Sequence, residues 1–213
     1  MNECTLLNKM GSDLTVANAA RVSFSNFHEE FDKQKDEKLI RYLAKNGHWS
    51  PFAHCILQYH IQAPIFVSRQ LMKHQVGLSW NEVSRRYVDK EPEFYIVNKW
   101  RKRSQDKKQG SSSETIDDVT YLQREVEELA LHNYNLLLEK EVAPEQARIV
   151  LPQSMMTEWY WTGSLYSFAR ICNLRLEKSA QKETQDICKQ ISIHAKRIFP
   201  ISWKYLMRSE LEE

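Results

Sequence analysis

The segment from Pro64 to Tyr87, PIFVSRQLMKHQVGLSWNEVSRRY, constrains this chain more than any other stretch. Its apolar start (Ile65, Phe66, Val67) runs directly into Arg69, Gln70, Lys73, His74, Gln75, Ser79, Asn81, Glu82, Ser84, Arg85, Arg86 and Tyr87. Solvated helix faces favour Lys and Glu, whereas this set mixes Asn, Gln, Ser, His and Arg, whose donors and acceptors have defined geometry. Arg forks grip phosphate through paired bonds, and Asn, Gln and Ser read heterocycle edges, so the mixture suits an anionic, hydrogen-bond-rich ligand. Composition alone equally allows a polar helix–loop–helix facing water.

A chain of 213 residues, 42% hydrophobic and 27% charged, suits one moderately large domain over 1–213 with a sizeable core. A formal net charge of +2 does not demand a nucleic-acid partner. No apolar run approaches the roughly 20 residues of a membrane span. The first residues, MNECTLLNKMGSD, show neither a signal-peptide core nor an Arg-rich transit pattern, so the expected location is cytoplasmic. Cys4, Cys55, Cys172 and Cys188 lack C-x-x-C spacing, which argues against a zinc site and a disulfide framework and for small buried hydrophobes or idle thiols.

Local patterns predict a helix from Ser12-Asp13 to about Val22, another over 36–45 stopped by Asn46-Gly47, and a strand over 54–62 ending at Pro64. Helix returns over 65–74, a strand is expected over 92–97, and the basic then Gly/Ser-rich 99–113 stretch is expected as a mobile surface loop. A long helix over 115–141 carries Val119, Leu122, Val126, Leu129, Leu136 and Leu137 as a core or interface face. A short helix follows over 144–150, then a strand over 159–162 and helices over 164–174 and 182–198, the last ended by Pro200.

The order of the polar residues is more specific than their composition. Arg69-Gln70, Lys73-His74-Gln75 and Asn81-Glu82-Val83-Ser84-Arg85-Arg86-Tyr87 together resemble the flavin-dependent thymidylate synthase signature of R-Q, R-H-R and N-E-x-S-x-R-Y. The tail matches position for position. The head departs, with Lys73 and Gln75 for the two arginines and one extra residue among Val76, Gly77 and Leu78. Four further segments resemble the same family in order: Ala19-Ala20-Arg21-Val22-Ser23-Phe24, Gly47-His48-Trp49-Ser50-Pro51-Phe52, Ala147-Arg148-Ile149-Val150-Leu151-Pro152, and Asn173-Leu174-Arg175 with Ala180-Gln181 and Glu183.

The resemblance implies an α+β fold, mostly helical with a small antiparallel sheet (the thymidylate synthase-complementing protein fold), assembled as a homotetramer with active sites between subunits. It implies reductive methylation of dUMP to dTMP, with methylenetetrahydrofolate as carbon donor and NADPH-reduced FAD as hydride source. Arg175 is the implied catalytic residue, a permanent cation at the uracil edge as C5 becomes nucleophilic. The implied dUMP-binding residues are Gln70, Lys73, Glu82, Ser84, Arg86, Arg148 and Arg175. The implied FAD-binding residues are His48, Ser50, Lys73, His74, Gln75, Glu82, Ser164 and Arg170, with no metal. Ala53 replaces a common Glu, and Ser164, Tyr166 and Arg170 stand where N-x-R and a later Asn are common; Arg170 is expected to restore the charge missing at Gln75. Ser84 is assigned to binding, because no paired base is readable and the flavin route needs no enzyme nucleophile. Two alternatives remain open: C5 alkylation of another pyrimidine nucleotide such as UMP, and a non-catalytic nucleotide- or RNA-binding protein using the basic 99–108 stretch.

Overall fold

In the computed structural model, residues 2–87, 90–104 and 110–208 are described. Strand β1 (Glu3–Met10) is followed by helix α1 (Asp13–Arg21), whose start is fixed by reciprocal capping between Ser12 and Thr15, and by a 3-10 turn over Val22–Phe24. Helix α2 (Lys33–Lys45) begins where Asp32 accepts from the N–H groups of Gln34 and Lys35, one turn earlier than expected. It ends before Gly47, whose φ of +70° suits a residue without Cβ. A short α3 (Ser50–Ala53) leads into β2 (Ile56–Pro64), α4 (Ile65–Leu71) and β3 (Leu78–Glu82).

Next come β4 (Arg101–Arg103), β5 (Ser111–Thr115), α5 (Thr120–Glu139), α6 (Pro144–Ala147), β6 (Met156–Ser164), α7 (Leu165–Arg175), α8 (Lys182–Ile198) and α9 (Pro200–Leu206). The architecture is α+β, mostly helical around a small antiparallel sheet of order β1-β2-β6-β3. Alternation in β2 and β6 buries Leu57, Tyr59, Ile61, Trp159 and Trp161 on one face. Phe168 of α7 meets Tyr59 and Trp161 edge-on at 5.0 and 5.2 Å, and the Tyr59 hydroxyl donates to Ile191 O of α8 at 3.4 Å. The opposite face carries Gln62, His60 and Glu158, with Glu158 Oε2 2.9 Å from His60 Nε2 and accepting from Gln62 Nε2 at 3.1 Å.

Distant parts of the sequence are joined by polar contacts. The buried Asp13 carboxylate accepts from the N–H groups of Ile201 (3.0 Å) and Ser202 (2.8 Å), capping α9. Gln190 Oε1 accepts from Cys4 N at 2.9 Å. All four cysteines are free and buried, and burial pushes the Cys55 thiol up to about 12, so these are inert thiols. Among the described residues no helix is long and apolar enough to cross a membrane, and no cluster of His, Cys, Asp or Glu is arranged to hold a metal ion.

Several expectations are corrected. Residues 92–97 form no strand; one bridge, Phe94 to Met155, is all the sheet-like pairing there. The stretch expected as a mobile loop contains β4 and β5, paired as a ribbon whose Arg101 Nη2 donates to both Glu183 oxygens at 2.8 and 3.0 Å; residues 105–109 lie outside the described ones. Pro200 does not simply end α8 but starts α9, where its missing N–H costs nothing. Of the two alternatives for the apolar stripe of α5, core or interface, the first is excluded and the second is left, because Leu122, Val126, Leu129 and Leu136 are exposed.

Candidate active site

The tail of the polar segment folds because β3 pairs with β6 through Glu82 (opposite Trp159), after which the chain turns through Ser84 to Tyr87. That turn, the α6 region and the start of β6 enclose a cleft of about 1120 Å³. Glu82, Ser84, Arg86 and Arg148 all line it, so four expected substrate residues are brought together. Ser84 Oγ accepts from Arg86 N at 3.4 Å and Arg86 Nε at 3.3 Å, and Arg148 Nε donates to Glu145 O at 3.2 Å.

Side chains of both charges line this cleft. Glu82 is bonded internally, accepting from Thr157 Oγ1 (2.8 Å), Ser68 Oγ (3.4 Å) and Trp80 Nε1 (3.2 Å). Glu93 pairs with Lys90, and Glu158 with His60 and Gln62; the Gln62 bond, then the His60 bond, hold the Glu158 carboxyl below its ordinary range. Among the described residues Arg86 and Arg148 are in no ion pair. Glu91 and Glu145 also line the cleft outside any ion pair among the described residues, so both signs of charge remain; the two guanidinium groups and the Ser84 hydroxyl are the donors suited to phosphate.

Arg175 and Gln70 lie elsewhere. Arg175, the last residue of α7, donates from Nε to His74 Nε2 at 3.0 Å and from Nη2 to Gln70 O at 3.2 Å. The Gln70 carboxamide is held by Thr184 Oγ1 at 3.2 Å and by Gln181. The N-L-R and A-Q-x-E segments thus meet α4 and the loop after it. Burial, then the positive charges of Arg175 and Arg170, lower the His74 pKa, so the ring stays neutral. Accepting from Arg175 at Nε2 places the ring proton on Nδ1. A His whose folded pKa is depressed stabilises the fold fully above its unfolded value, and that contribution is lost as pH falls toward the folded one.

A second cleft, about 310 Å³, is lined by His48, Tyr166, Arg170, Asn173 and Arg208 with Leu43, Phe52 and Leu174. Of the expected FAD residues it contains His48 and Arg170. Ser50, Lys73 and Gln75 are exposed and line neither cleft. Ser164 is 8% exposed, and its Oγ accepts from Ser167 N at 3.1 Å as the α7 cap; the hydroxyl expected on a cofactor is used inside the protein. An apolar and aromatic wall with two guanidinium groups suits a ring system with attached phosphates. The volume is at the small end of the roughly 300–1,000 Å³ usual for ligand clefts.

Sequence reasoning missed Arg85, Gln62 and Glu158 on the first cleft. Arg85 sits inside the recognised motif. Gln62 and Glu158 belong to no motif and meet because β2 and β6 pair them directly opposite; only the strand register carried that signal.

A sequence model of the thymidylate synthase complementing protein family matches residues 5–201. A flavin-dependent thymidylate synthase of Thermus thermophilus is 38% identical over 199 residues, covering 93% of this chain and 73% of its own length. One from Thermosipho africanus is 39% identical over 193 residues, covering 88% and 82%. Among solved structures, a UMP/dUMP methylase, PolB, from Streptomyces cacaoi bound with 5-Br dUMP superposes with a TM-score of 0.88 at 29% identity, covering 96% of this chain and 94% of that one.

Proposed function

The chain belongs to the thymidylate synthase complementing protein family, the flavin-dependent thymidylate synthases, and from that premise we propose that residues 1–213 act as one domain methylating dUMP to dTMP. Methylenetetrahydrofolate is the proposed carbon donor and NADPH the proposed reductant. The observation that carries this reading is that Arg86 and Arg148, in no ion pair among the described residues, line the large cleft together with Ser84. They hold the nucleotide phosphate; Ser84 keeps Arg86 aimed. When bound, FAD supplies the hydride.

Arg175 has Nε committed to His74 and Nη2 to the Gln70 carbonyl, while Nη1 is bonded to no described residue. We assign Nη1 to the uracil edge, where a fixed cation stabilises the ring as C5 gains negative charge. Gln70 orients Arg175 through its backbone carbonyl. His48 and Arg170 bind the flavin with the exposed Ser50, Lys73 and Gln75; His74 touches Arg175 and lies within the influence of Arg170.

Arg175 lines neither cleft, and the smaller cleft is at the small end of the usual range. Both facts support sites completed by another copy, in a homotetramer. The exposed Leu122, Val126, Leu129 and Leu136 stripe on α5 supplies an apolar face for such assembly. A cytoplasmic location accords with this reading.

The structural likeness to a UMP/dUMP methylase supports a second reading, in which UMP is also accepted. An RNA-binding role is less well supported, since Arg101 and Lys102 of the basic stretch are paired with Glu183 and Glu114. The test is an assay of the purified protein with methylenetetrahydrofolate, NADPH and FAD, run on dUMP and UMP with product identification. dTMP from dUMP supports the first reading. A colourless protein that cannot be loaded with FAD and yields no methylated nucleotide sinks both.

Two variants probe the binding assignments. Ser84→Ala is expected to raise KM for dUMP about 2–10-fold, the equivalent of one ordinary hydrogen bond, with turnover retained; a covalent Ser84–nucleotide adduct by mass spectrometry would overturn the binding-only role. Lys73→Arg with Gln75→Arg is expected to bind FAD at least as tightly as wild type, because both positions are exposed and an added guanidinium can pair with phosphate. FAD titration at fixed salt reads this directly, and loss of binding in the double variant removes both positions from the flavin site.

A further inference from the structure

The extra residue in the 64–87 segment falls in the loop before β3, and the structure shows how the chain accommodates it. Gly77 adopts φ +72°, and a Cβ there would collide with Ser167 Oγ of α7. Ser167 Oγ donates to Val76 O at 3.0 Å, and Ser164 N donates to Gly77 O at 3.2 Å. The two serine hydroxyls lie 2.9 Å apart, both buried, at 8% and 6% exposure. On the sheet side, a Cβ on Gly163 would lie 2.9 Å from Gly77 O, so a second glycine clears the approach. At the other end of α7, Arg175 grips His74 and the Gln70 carbonyl. One helix therefore holds the 70–77 segment twice, by its first turn and by its last residue.

We propose that Ser164 and Ser167, closing on the Val76–Gly77 backbone, form a latch that positions His74 and Arg175 for the reaction. Both serines are positioning residues; neither touches cofactor or substrate. Ser164, which the resemblance gives to cofactor contact, serves here with Ser167 to seat the loop, and an unlatched loop would carry His74 away from Arg175. The link to turnover rests on the function proposed above; the link to His74 does not.

The experiment compares wild type, Ser167→Ala, Gly77→Ala and the double variant. The readouts are thermal midpoint, the His74 ring titration followed by NMR (assigned with His74→Gln), and separate kcat and KM for dUMP. Ser167→Ala is expected to stay folded with KM unchanged and kcat lowered on the order of tenfold or more, as small misplacements do. Its His74 titration should move up toward the ordinary histidine value, because Arg175 and Arg170 no longer face a fixed, half-buried ring. Gly77→Ala should lower the thermal midpoint, and by less in the Ser167→Ala background, where the colliding oxygen is gone. An unchanged His74 titration in Ser167→Ala, or strictly additive midpoints for the two substitutions, overturns the latch. If no form turns over dUMP yet His74 responds as described, the latch stands and the proposed function falls.

Discussion

Arg175→Ala is expected to lower kcat for dUMP methylation by at least about 10²–10³-fold, the usual consequence of removing a group aimed at developing negative charge. The protein should remain folded. Arg175 is half-buried, and its loss removes two hydrogen bonds, to His74 and to Gln70 O, but leaves Gln70 held by Thr184 and Gln181. Each lost bond to a charged group is worth about 1.5–3 kcal/mol, enough to lower the melting temperature without abolishing the fold. Arg175→Lys separates charge from geometry: it keeps the cation, but cannot contact His74, the Gln70 carbonyl and the uracil together, so most of the activity should still be lost. Steady-state kinetics alongside circular dichroism checks both variants. Near-normal turnover of a folded Arg175→Ala protein would remove Arg175 from the mechanism.

The largest stability effect is expected at Trp161. It is fully buried on β6, paired in register with both Tyr59 and Trp80, and its ring meets Phe168 and Trp80 at 5.2 and 5.4 Å. Trp161→Ala opens a cavity in the middle of the sheet face and should cost about 3–5 kcal/mol. The indole N–H has no partner among the described residues, so Trp161→Phe removes an unsatisfied donor along with some volume and should cost much less. Guanidinium unfolding at constant m-value reads the difference. Equal losses for the two substitutions would mean that ring packing at 161 contributes little.

Helices with strong ends and clear periodicity were legible in the sequence. α8 occupies 182–198 as expected, and β2 and β6 were both found through their alternation or aromatic content. β1 escaped notice because only Cys4 along it is fully buried, so it shows no alternation. β3 escaped because Leu78–Glu82 lies inside a motif rich in polar groups, and tertiary pairing with β6 rather than local propensity makes it a strand. The 92–97 run has strand-forming residues but only one paired position.

The cleft residues Glu82, Ser84, Arg86 and Arg148 were legible because their motifs preserve order across 60-odd positions. What stayed hidden is contact between elements: the Ser164 hydroxyl turned to Ser167, and the Arg175–His74 bond across 101 residues.

The carboxylate of Asp13 reaches its partners at Ile201 and Ser202 across 188 residues of chain. At synthesis rates of roughly 5–20 residues per second, that interval is on the order of 10–40 s. Through it Asp13 must stay hydrated, and the sides of α1 and α2 that will meet α9 stay open. The helical layer therefore closes after translation of its final turns rather than during it. Until then that face of the nascent chain is open to solvent, and substitutions at Asp13 are expected to appear first as reduced yield in the cell.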